Sequence, residues 1–192
     1  ERPLLSRYVP LTRRTPSDPV YQASVTWDTI DRIKEEAGLP FMLKGIATAE
    51  DALIAIDHGV DVIWISNHGG RQLDHGEGTM DMLKEVVDAV DGRASIVLDG
   101  GVQRGGDIAK AVALGVTAVA IGRLQAWGLA AGGVEGIKRM LEILEEELTV
   151  AMALMGVTSI DQLSSDYVTA AEPVASPHEM SAWVNMPEGR IM

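Results

Sequence analysis

Cysteine is absent from the 192-residue chain and cations are few. Without cysteine, the protein has no disulfides, no thiolate metal ligands and no cysteine nucleophile, and no metal site is predicted. The 16 Lys and Arg face 28 Asp and Glu, for a net charge of −12, and they form no cluster. This balance argues against a nucleic-acid partner, which would need a basic surface. The acidic run EEE at 145–147 is interpreted as solvated helix surface.

Long hydrophobic runs and targeting signals are also missing. No apolar run approaches the roughly 18 residues of a membrane span, so no span is predicted. The start of the chain lacks a signal-peptide pattern, which favours a cytoplasmic location.

What the sequence does contain is a regular alternation of segments. Short, continuous apolar runs, typical of parallel strands buried on both faces, occur at 41–46, 62–66, 95–99 and 118–122. Helices are predicted at 26–37, 49–58, 79–90, 106–114 and 134–155. The alternation predicts an α/β fold, either a doubly wound sheet or a (β/α)8 barrel. Because a barrel needs eight units and four strands are found, periodicity alone favours the doubly wound sheet.

Two segments flank the alternating region of residues 24–163. Residues 1–23 contain four prolines among many Arg, Ser and Thr residues, which predicts an extended linker or mobile loop. Residues 164–192 contain Pro, Ser and Met without a period, which predicts a poorly ordered or docking extension.

A histidine and an arginine stand close together in a glycine-containing turn after the second predicted strand. The guanidinium of Arg71 can hold a carboxylate through two parallel hydrogen bonds, which leaves His68 beside the adjacent carbon as a base. Alternatively, both side chains only satisfy loop carbonyls. The neighbouring pair of Gly69 and Gly70 favours the functional interpretation, because glycines allow a ligand close to the backbone.

Glycine-rich turns follow the last two predicted strands, DGGVQRGG at 99–106 and IGR at 121–123. Glycines let the backbone approach a ligand, and amides at the start of the next helix favour a phosphate. Loops after the last two strands of a (β/α)8 barrel commonly share a phosphate site. The two turns therefore predict a phosphate site that includes Arg123. Otherwise they only join strands to helices, and Arg123 is a surface ion pair.

Lys44 lies inside the apolar run 41–46. A buried lysine is costly unless it meets a negative charge. It either pairs with a core carboxylate such as Asp99 or neutralises the negative charge of a reduced cofactor.

In order along the chain, the segments LKGI at 43–46, SNHGGRQLD at 66–74, DGGV at 99–102 and IGR at 121–123 resemble the FMN-dependent α-hydroxy-acid oxidase and dehydrogenase family. The resemblance implies a (β/α)8 TIM barrel, of which this chain is the C-terminal half with strands five to eight. It also implies oxidation of a small (S)-2-hydroxy acid to a 2-oxo acid, with FMN as the cofactor.

The resemblance implies roles for single residues as well. His68 matches the catalytic base, which also contacts the substrate, and Arg71 matches the arginine that binds the substrate carboxylate. Lys44 matches a lysine beside the flavin N1 and O2 positions, and Ser66 a serine that contacts the flavin. The residues that match the ribityl-phosphate site are Asp99, Gly100, Gly101, Val102, Gln103, Gly122 and Arg123.

One position departs from the family pattern. The family usually has arginine where this chain has Gln103, so one charge contact with the phosphate is missing. Neighbouring Arg104 is the candidate replacement.

The family's first four strands carry a substrate-binding tyrosine, further flavin contacts and the aspartate that orients the histidine, and none of these is identifiable here. Because the chain begins with Glu1 rather than Met, we expect those strands to have been removed or omitted upstream. Residues 1–23 then correspond to the end of the mobile loop after strand four. The expected partners are the N-terminal half of the same barrel and, by resemblance, further copies in a tetramer or octamer.

Two other functions stay open. The first is another FMN-barrel oxidoreductase or isomerase, which is not expected to have the pair of His68 and Arg71. The second is a non-catalytic half-barrel that acts as an assembly subunit. Intact Lys44, His68 and Arg71 argue against a pure scaffold, which has no need of all three at strand ends.

Overall fold

The computed structural model describes residues 24–71, 73 and 76–171. The chain divides into two compact units, Glu1–Leu39 and Pro40–Met192. In the first unit, helix α1 (Trp27–Ala37) begins after Thr26, whose backbone N–H donates to Thr29 Oγ1 at 3.3 Å. The helix ends at Gly38, whose φ of 59° provides a left-handed cap. The predicted helix 26–37 is therefore present.

The second unit alternates strands and helices in the predicted order. Its elements are β1 (Met42–Ile46), α2 (Ala49–Asp57), β2 (Val62–Ile65), α3 (Thr79–Val90), β3 (Ser95–Asp99), α4 (Gly105–Ala113), β4 (Ala118–Ala120) and α5 (Arg123–Met155). The strands pair in parallel in the order β1-β2-β3-β4, which confirms the predicted α/β fold with a parallel sheet. A doubly wound sheet reverses its strand order at a switch point, and these four strands have no reversal.

The sheet is covered more completely on one face than on the other. On the covered face, strand side chains are fully buried together with those of α3; they are Ile63, Ile65, Leu98, Leu83 and Val86. Each such burial stabilises the fold by about 1.5–3 kcal/mol. On the opposite face Met42 is 43% exposed and Ala118 is exposed. The prediction of strands buried on both faces therefore holds fully for only one face within the described residues.

Helix α5 begins at Arg123, well before the predicted start at residue 134. Its backbone is non-helical at Gly132 and Gly133, so a kink divides it into two segments. The segments touch at two further glycines: a Cβ on Gly128 would lie 3.0 Å from the carbonyl oxygen of Gly136. The segment before the kink escapes a periodicity argument because five glycines between 122 and 136 interrupt its apolar pattern.

The chain after α5 packs back onto α4. Val157 and Leu163 form a buried cluster with Ala109 and Ala113, and Val168 packs against this cluster. The first residues of the predicted C-terminal extension, 164–171, therefore include a docked segment. The predicted segment 1–23 and the remainder of the extension lie outside the described residues, and the predicted three-part division stays a prediction. Within 24–71 and 76–171, no helix is long and apolar enough to cross a membrane.

Candidate active site

The hydroxyl of Ser66 joins the carboxyl ends of three neighbouring strands. It donates to Asp99 Oδ1 at 2.7 Å and accepts from Lys44 Nζ at 2.7 Å. It also accepts from the backbone N–H of His68 at 3.1 Å. A hydroxyl has one donor and two acceptor positions, so all three are used. A flavin contact through this oxygen would have to replace one of these bonds, and the implied contact stays a prediction.

Lys44 lies beside Asp99, the carboxylate named as its alternative partner. Its Nζ lies 3.2 Å from Asp99 Oδ2 and 5.3 Å from the centre of the Trp64 ring. The Lys44 side chain is nevertheless 39% exposed, so the ammonium remains accessible to a further negative group. The ion pair is thus present, and the role toward a cofactor stays a prediction.

A bulge in β1 explains why Lys44 and Ile46, which are two positions apart, face opposite sides of the sheet. Lys44 pairs with Trp64, whereas Ile46 pairs with Ile65, because the register shifts between them. Gly45 has a φ of 104°, a conformation that favours glycine. The extra residue turns Ile46 to the buried face and leaves Lys44 on the open face, as a regular strand would not.

The turn after β2 presents the predicted base and the predicted carboxylate-binding arginine. It forms a short 3-10 turn, His68–Gly70, in which His68 has a φ of 54°. A non-glycine residue in this left-handed conformation costs about 1–3 kcal/mol and is over-represented at functional sites. Asn67 Oδ1 accepts from the N–H of Gly69 at 2.9 Å, and Asn67 Nδ2 donates to the carbonyl of Glu77 at 2.9 Å.

The side chains of His68 and Arg71 are exposed. Neither makes a hydrogen bond or ion pair with another side chain in the part of the chain that the structure describes. The alternative that both side chains only form hydrogen bonds with loop carbonyls is not observed there. Two residues of the same motif, at 72 and 74, and the following residue 75 lie outside the described residues.

The turn after β3, where a phosphate site is predicted, contains two glycines in left-handed conformations. Gly100 and Gly101 have φ values of 102° and 73°. A Cβ on Gly100 would lie 2.7 Å from Thr79 Oγ1, which itself donates to the carbonyl of Asp99 at 2.6 Å. Asp107 Oδ2 then accepts from the backbone N–H groups of residues 103 and 104, each at 3.1 Å.

The side chain of Arg104, the candidate replacement for the arginine missing at position 103, is paired with Glu147. Its Nη2 lies 2.6 Å from Glu147 Oε1, and its Nε donates to Glu147 Oε2 at 3.0 Å. Glu147 Oε2 also accepts from the backbone N–H of Gly105 at 2.9 Å. The interpretation of the run 145–147 as solvated surface is therefore wrong for Glu147, whose side chain is only 25% exposed.

Arg123, the first residue of α5, contacts the turn after β2. A Cβ on Gly69 would lie 3.2 Å from Arg123 Nη2, so the guanidinium packs against the backbone of the His68 turn. Arg123 has no ion pair within the described residues. The alternative of a surface ion pair is therefore not observed.

The residues at the second turn fit the phosphate end of FMN. The N–H groups of Gly101, Val102 and Gly106 donate to no backbone acceptor outside helices and strands in the described residues. A Cβ on Gly101 or Gly106 would meet nothing within 4 Å, so the space beside both Cα atoms is open within the described residues. Free amides at a helix start together with the unpaired guanidinium of Arg123 form a donor set suited to a phosphate dianion.

Local sequence reasoning missed Glu147, Thr79 and Trp64 as residues of this region. Thr79 and Trp64 lie in predicted elements, and their spacing carries no signal of a site. A cavity of about 690 Å³ lies at the other end of the sheet, around residues 59–61 and 92–96, and none of the predicted site residues lines it. Within the described residues no cluster of His, Asp and Glu could hold a metal ion.

Comparison with known proteins shows which protein family the chain matches. Residues 10–170 match the family of FMN-dependent dehydrogenases. The chain is 47% identical over 148 residues to the peroxisomal (S)-2-hydroxyacid oxidase GLO3 of Arabidopsis thaliana. This alignment covers 77% of this chain and 41% of that protein. The chain is also 44% identical over 145 residues to the L-lactate oxidase of Nostoc sp., and that alignment covers 76% of this chain and 40% of the oxidase.

Solved structures agree with this likeness. A mandelate oxidase variant with a monooxide FMN adduct superposes with a TM-score of 0.69 at 45% identity, over 71% of this chain and 44% of that one. The chain therefore spans about 40% of the length of the curated relatives it matches.

Proposed function

The chain belongs to the FMN-dependent dehydrogenase family, whose cofactor is FMN as predicted, and we propose that it supplies the catalytic base and the flavin-phosphate site of an enzyme that oxidises an (S)-2-hydroxy acid to a 2-oxo acid. The observation that carries this proposal is the junction of Lys44, Ser66 and Asp99 at three strand ends, directly beside the exposed His68 and Arg71. Relatives named as (S)-2-hydroxyacid oxidase and L-lactate oxidase support the substrate class.

Arg71 binds the substrate carboxylate in this proposal. Its planar guanidinium offers two parallel N–H groups that match the two carboxylate oxygens. With the carboxylate fixed, His68 lies near the adjacent carbon and takes the proton of the 2-hydroxyl or of the α-carbon. Its exposed imidazole has no competing hydrogen bond in the described residues.

Lys44 places a positive charge next to the reacting centre. When bound, FMN supplies the two-electron acceptor of the oxidation. The ammonium of Lys44 stabilises negative charge that develops there in the transition state, and Asp99 and Ser66 hold it in position. The turn from Asp99 to Gln103, with Gly122 and Arg123, holds the ribityl phosphate.

The four strands correspond to strands five to eight of a (β/α)8 barrel, completed by an N-terminal half. Within the described residues β1 and β4 are the two edges of the sheet, and edges with unpaired backbone groups favour further pairing. The half-exposed face that carries Met42 also needs cover. Residues 1–192 alone should therefore associate, or bind FMN only after the N-terminal half is added. A monomer that retains FMN in sedimentation would contradict this arrangement.

The reaction is tested by the absorbance spectrum of the full-length protein. Flavin bands should be present and should bleach under anaerobic conditions when (S)-lactate, glycolate or (S)-mandelate is added, while (R)-lactate and (R)-mandelate leave them unchanged. Bound flavin that no small 2-hydroxy acid bleaches would favour a different FMN-barrel enzyme. Absence of any bound flavin would favour the assembly subunit.

Two parts of the proposal rest on family likeness alone. A tetrameric or octameric assembly is a proposal, testable by sedimentation of the full-length protein. A cytoplasmic location is also a proposal, and the relatives named peroxisomal make a peroxisomal location its direct competitor.

A further inference from the structure

Glu147 is the only residue of the long helix α5 with hydrogen bonds to the start of α4 among the side chains described. Its carboxylate accepts hydrogen bonds from Nε of Arg104 and from the backbone N–H of Gly105, and it forms an ion pair with Nη2 of Arg104. The glutamate and Gly105 are 42 positions apart in sequence. The contact therefore joins two elements that only the tertiary structure brings together.

The backbones of the two helices touch at this point. A Cβ on Gly105 would overlap the backbone nitrogen of Leu148 and would lie 2.6 Å from the carbonyl oxygen of Leu144. Gly105 is buried. Helix α5 thus forms a rigid support under the first residue of α4, immediately after the glycine-rich turn.

The amides of the turn divide into two groups. Those of residues 103, 104 and 105 are taken by the carboxylates of Asp107 and Glu147. Those of Gly101 and Gly106 donate to no backbone acceptor outside helices and strands in the described residues, and the space beside both Cα atoms is open. Carboxylates repel a phosphate, so the electrostatic effect of Asp107 and Glu147 on phosphate binding at this turn is unfavourable. Their presence there therefore favours a geometric role.

We propose that Glu147 is a positioning residue for the flavin phosphate, which fixes the turn after β3 by holding Gly105 and by drawing Arg104 away from the phosphate. This inference rests on the proposed function. It assigns Glu147 no contact with the cofactor. It also explains why Arg104 does not supply the charge missing at Gln103.

The sign of the expected effect separates positioning from simple electrostatics. Removal of a carboxylate near a phosphate dianion should strengthen phosphate binding by Coulomb attraction alone. If Glu147 instead holds the turn in shape, its removal should weaken FMN binding. Riboflavin has the same ring without the phosphate, so its affinity should hardly change.

The experiment measures the dissociation constants of FMN and riboflavin by flavin fluorescence quenching on the full-length apoprotein. We expect Glu147→Ala to weaken FMN binding about tenfold or more and riboflavin binding by less than about twofold. Glu147→Gln keeps an acceptor oxygen, and we expect it to weaken FMN binding by less than Glu147→Ala. Glu146→Gln is the matched control, because Glu146 lies on the same helix and pairs with exposed Arg139.

Tighter or unchanged FMN binding in Glu147→Ala would overturn the proposal, and so would equal weakening for FMN and riboflavin. If Glu147→Ala fails to fold, Glu147→Gln carries the test with the same sign: weaker FMN binding supports positioning and tighter binding overturns it. A wild-type protein that binds neither flavin would contradict the proposed function instead. The two failures are therefore distinguishable.

Discussion

The two turns at the carboxyl ends of β2 and β3 are anchored in opposite ways. Uncharged groups anchor the turn after β2: the hydroxyl of Ser66 holds the backbone of His68, and the amide of Asn67 closes the loop. Two carboxylates, Asp107 and Glu147, anchor the turn after β3.

This difference matches what each turn is proposed to do. A turn that carries a base must leave the imidazole and guanidinium free to meet substrate, so its anchors act on the backbone only. A turn that binds a phosphate through backbone amides needs those amides fixed in direction, because the electrostatic benefit depends on preorganisation. The following substitutions test this difference between the two turns.

His68→Ala should remove the function of the first turn without affecting the second. We expect kcat to fall by about 10²–10⁴, as when a general base is lost, and the FMN dissociation constant to stay nearly constant. Steady-state kinetics and flavin titration check both. His58→Ala, at the end of α2, is the control. Turnover near the wild-type rate would show that His68 is not the base.

Gly105→Ala should disturb the support of the second turn. The added Cβ would overlap the backbone of α5, and overpacking of this kind costs about 1–3 kcal/mol. Urea unfolding of the full-length protein measures the loss. Gly106→Ala, whose Cβ meets nothing within 4 Å, should leave the free energy of unfolding unchanged or slightly higher. Equal results for the two variants would contradict the close approach of α4 and α5.

Ser66→Ala should weaken the anchor of the first turn. It removes partners from Lys44, Asp99 and the backbone of His68, and unsatisfied groups of this kind cost about 1–3 kcal/mol. We expect kcat to fall about tenfold, with a smaller change in FMN affinity. Ser95→Ala, at the exposed start of β3, serves as the comparison. An unchanged kcat would mean that His68 keeps its conformation without the hydroxyl.

Arg71→Lys should raise KM for hydroxy acids about tenfold. An ammonium cannot reproduce the planar pair of hydrogen bonds, and one lost charge-assisted bond corresponds to about that factor. Arg139→Lys, on the exposed face of α5, should leave KM constant. If KM is also unchanged in Arg71→Lys, the carboxylate is bound elsewhere.

Gln103→Arg should have the smallest effect, and in the favourable direction. It restores a charge beside the phosphate turn, so FMN should bind several-fold more tightly, and the gain should shrink as salt is added. Riboflavin affinity should stay the same. A gain that is equal for riboflavin, or independent of salt, would show that residue 103 does not face the phosphate.

Much of the fold follows from local sequence patterns. The four apolar runs predict the four strands, and the parallel pairing follows from the helices between them. The left-handed cap at Gly38 agrees with the helix end predicted there. The start of α5 at Arg123 does not follow, because its glycines allow a kinked helix that a periodic pattern cannot represent.

The candidate site, like the fold, is only partly predictable from local sequence patterns. Local sequence patterns predict which chemistry-bearing residues stand at strand ends, since Lys44 and Asp99 lie in apolar runs and His68 and Arg71 lie in the turn after one. How these residues are held became visible in the folded chain: through the hydroxyl of Ser66, the bulge at Gly45 and the hydrogen bond that Gly105 donates to Glu147. The physical reason is that periodicity and turn chemistry depend on neighbours in sequence, whereas hydrogen bonds between strand ends and helices depend on neighbours in space.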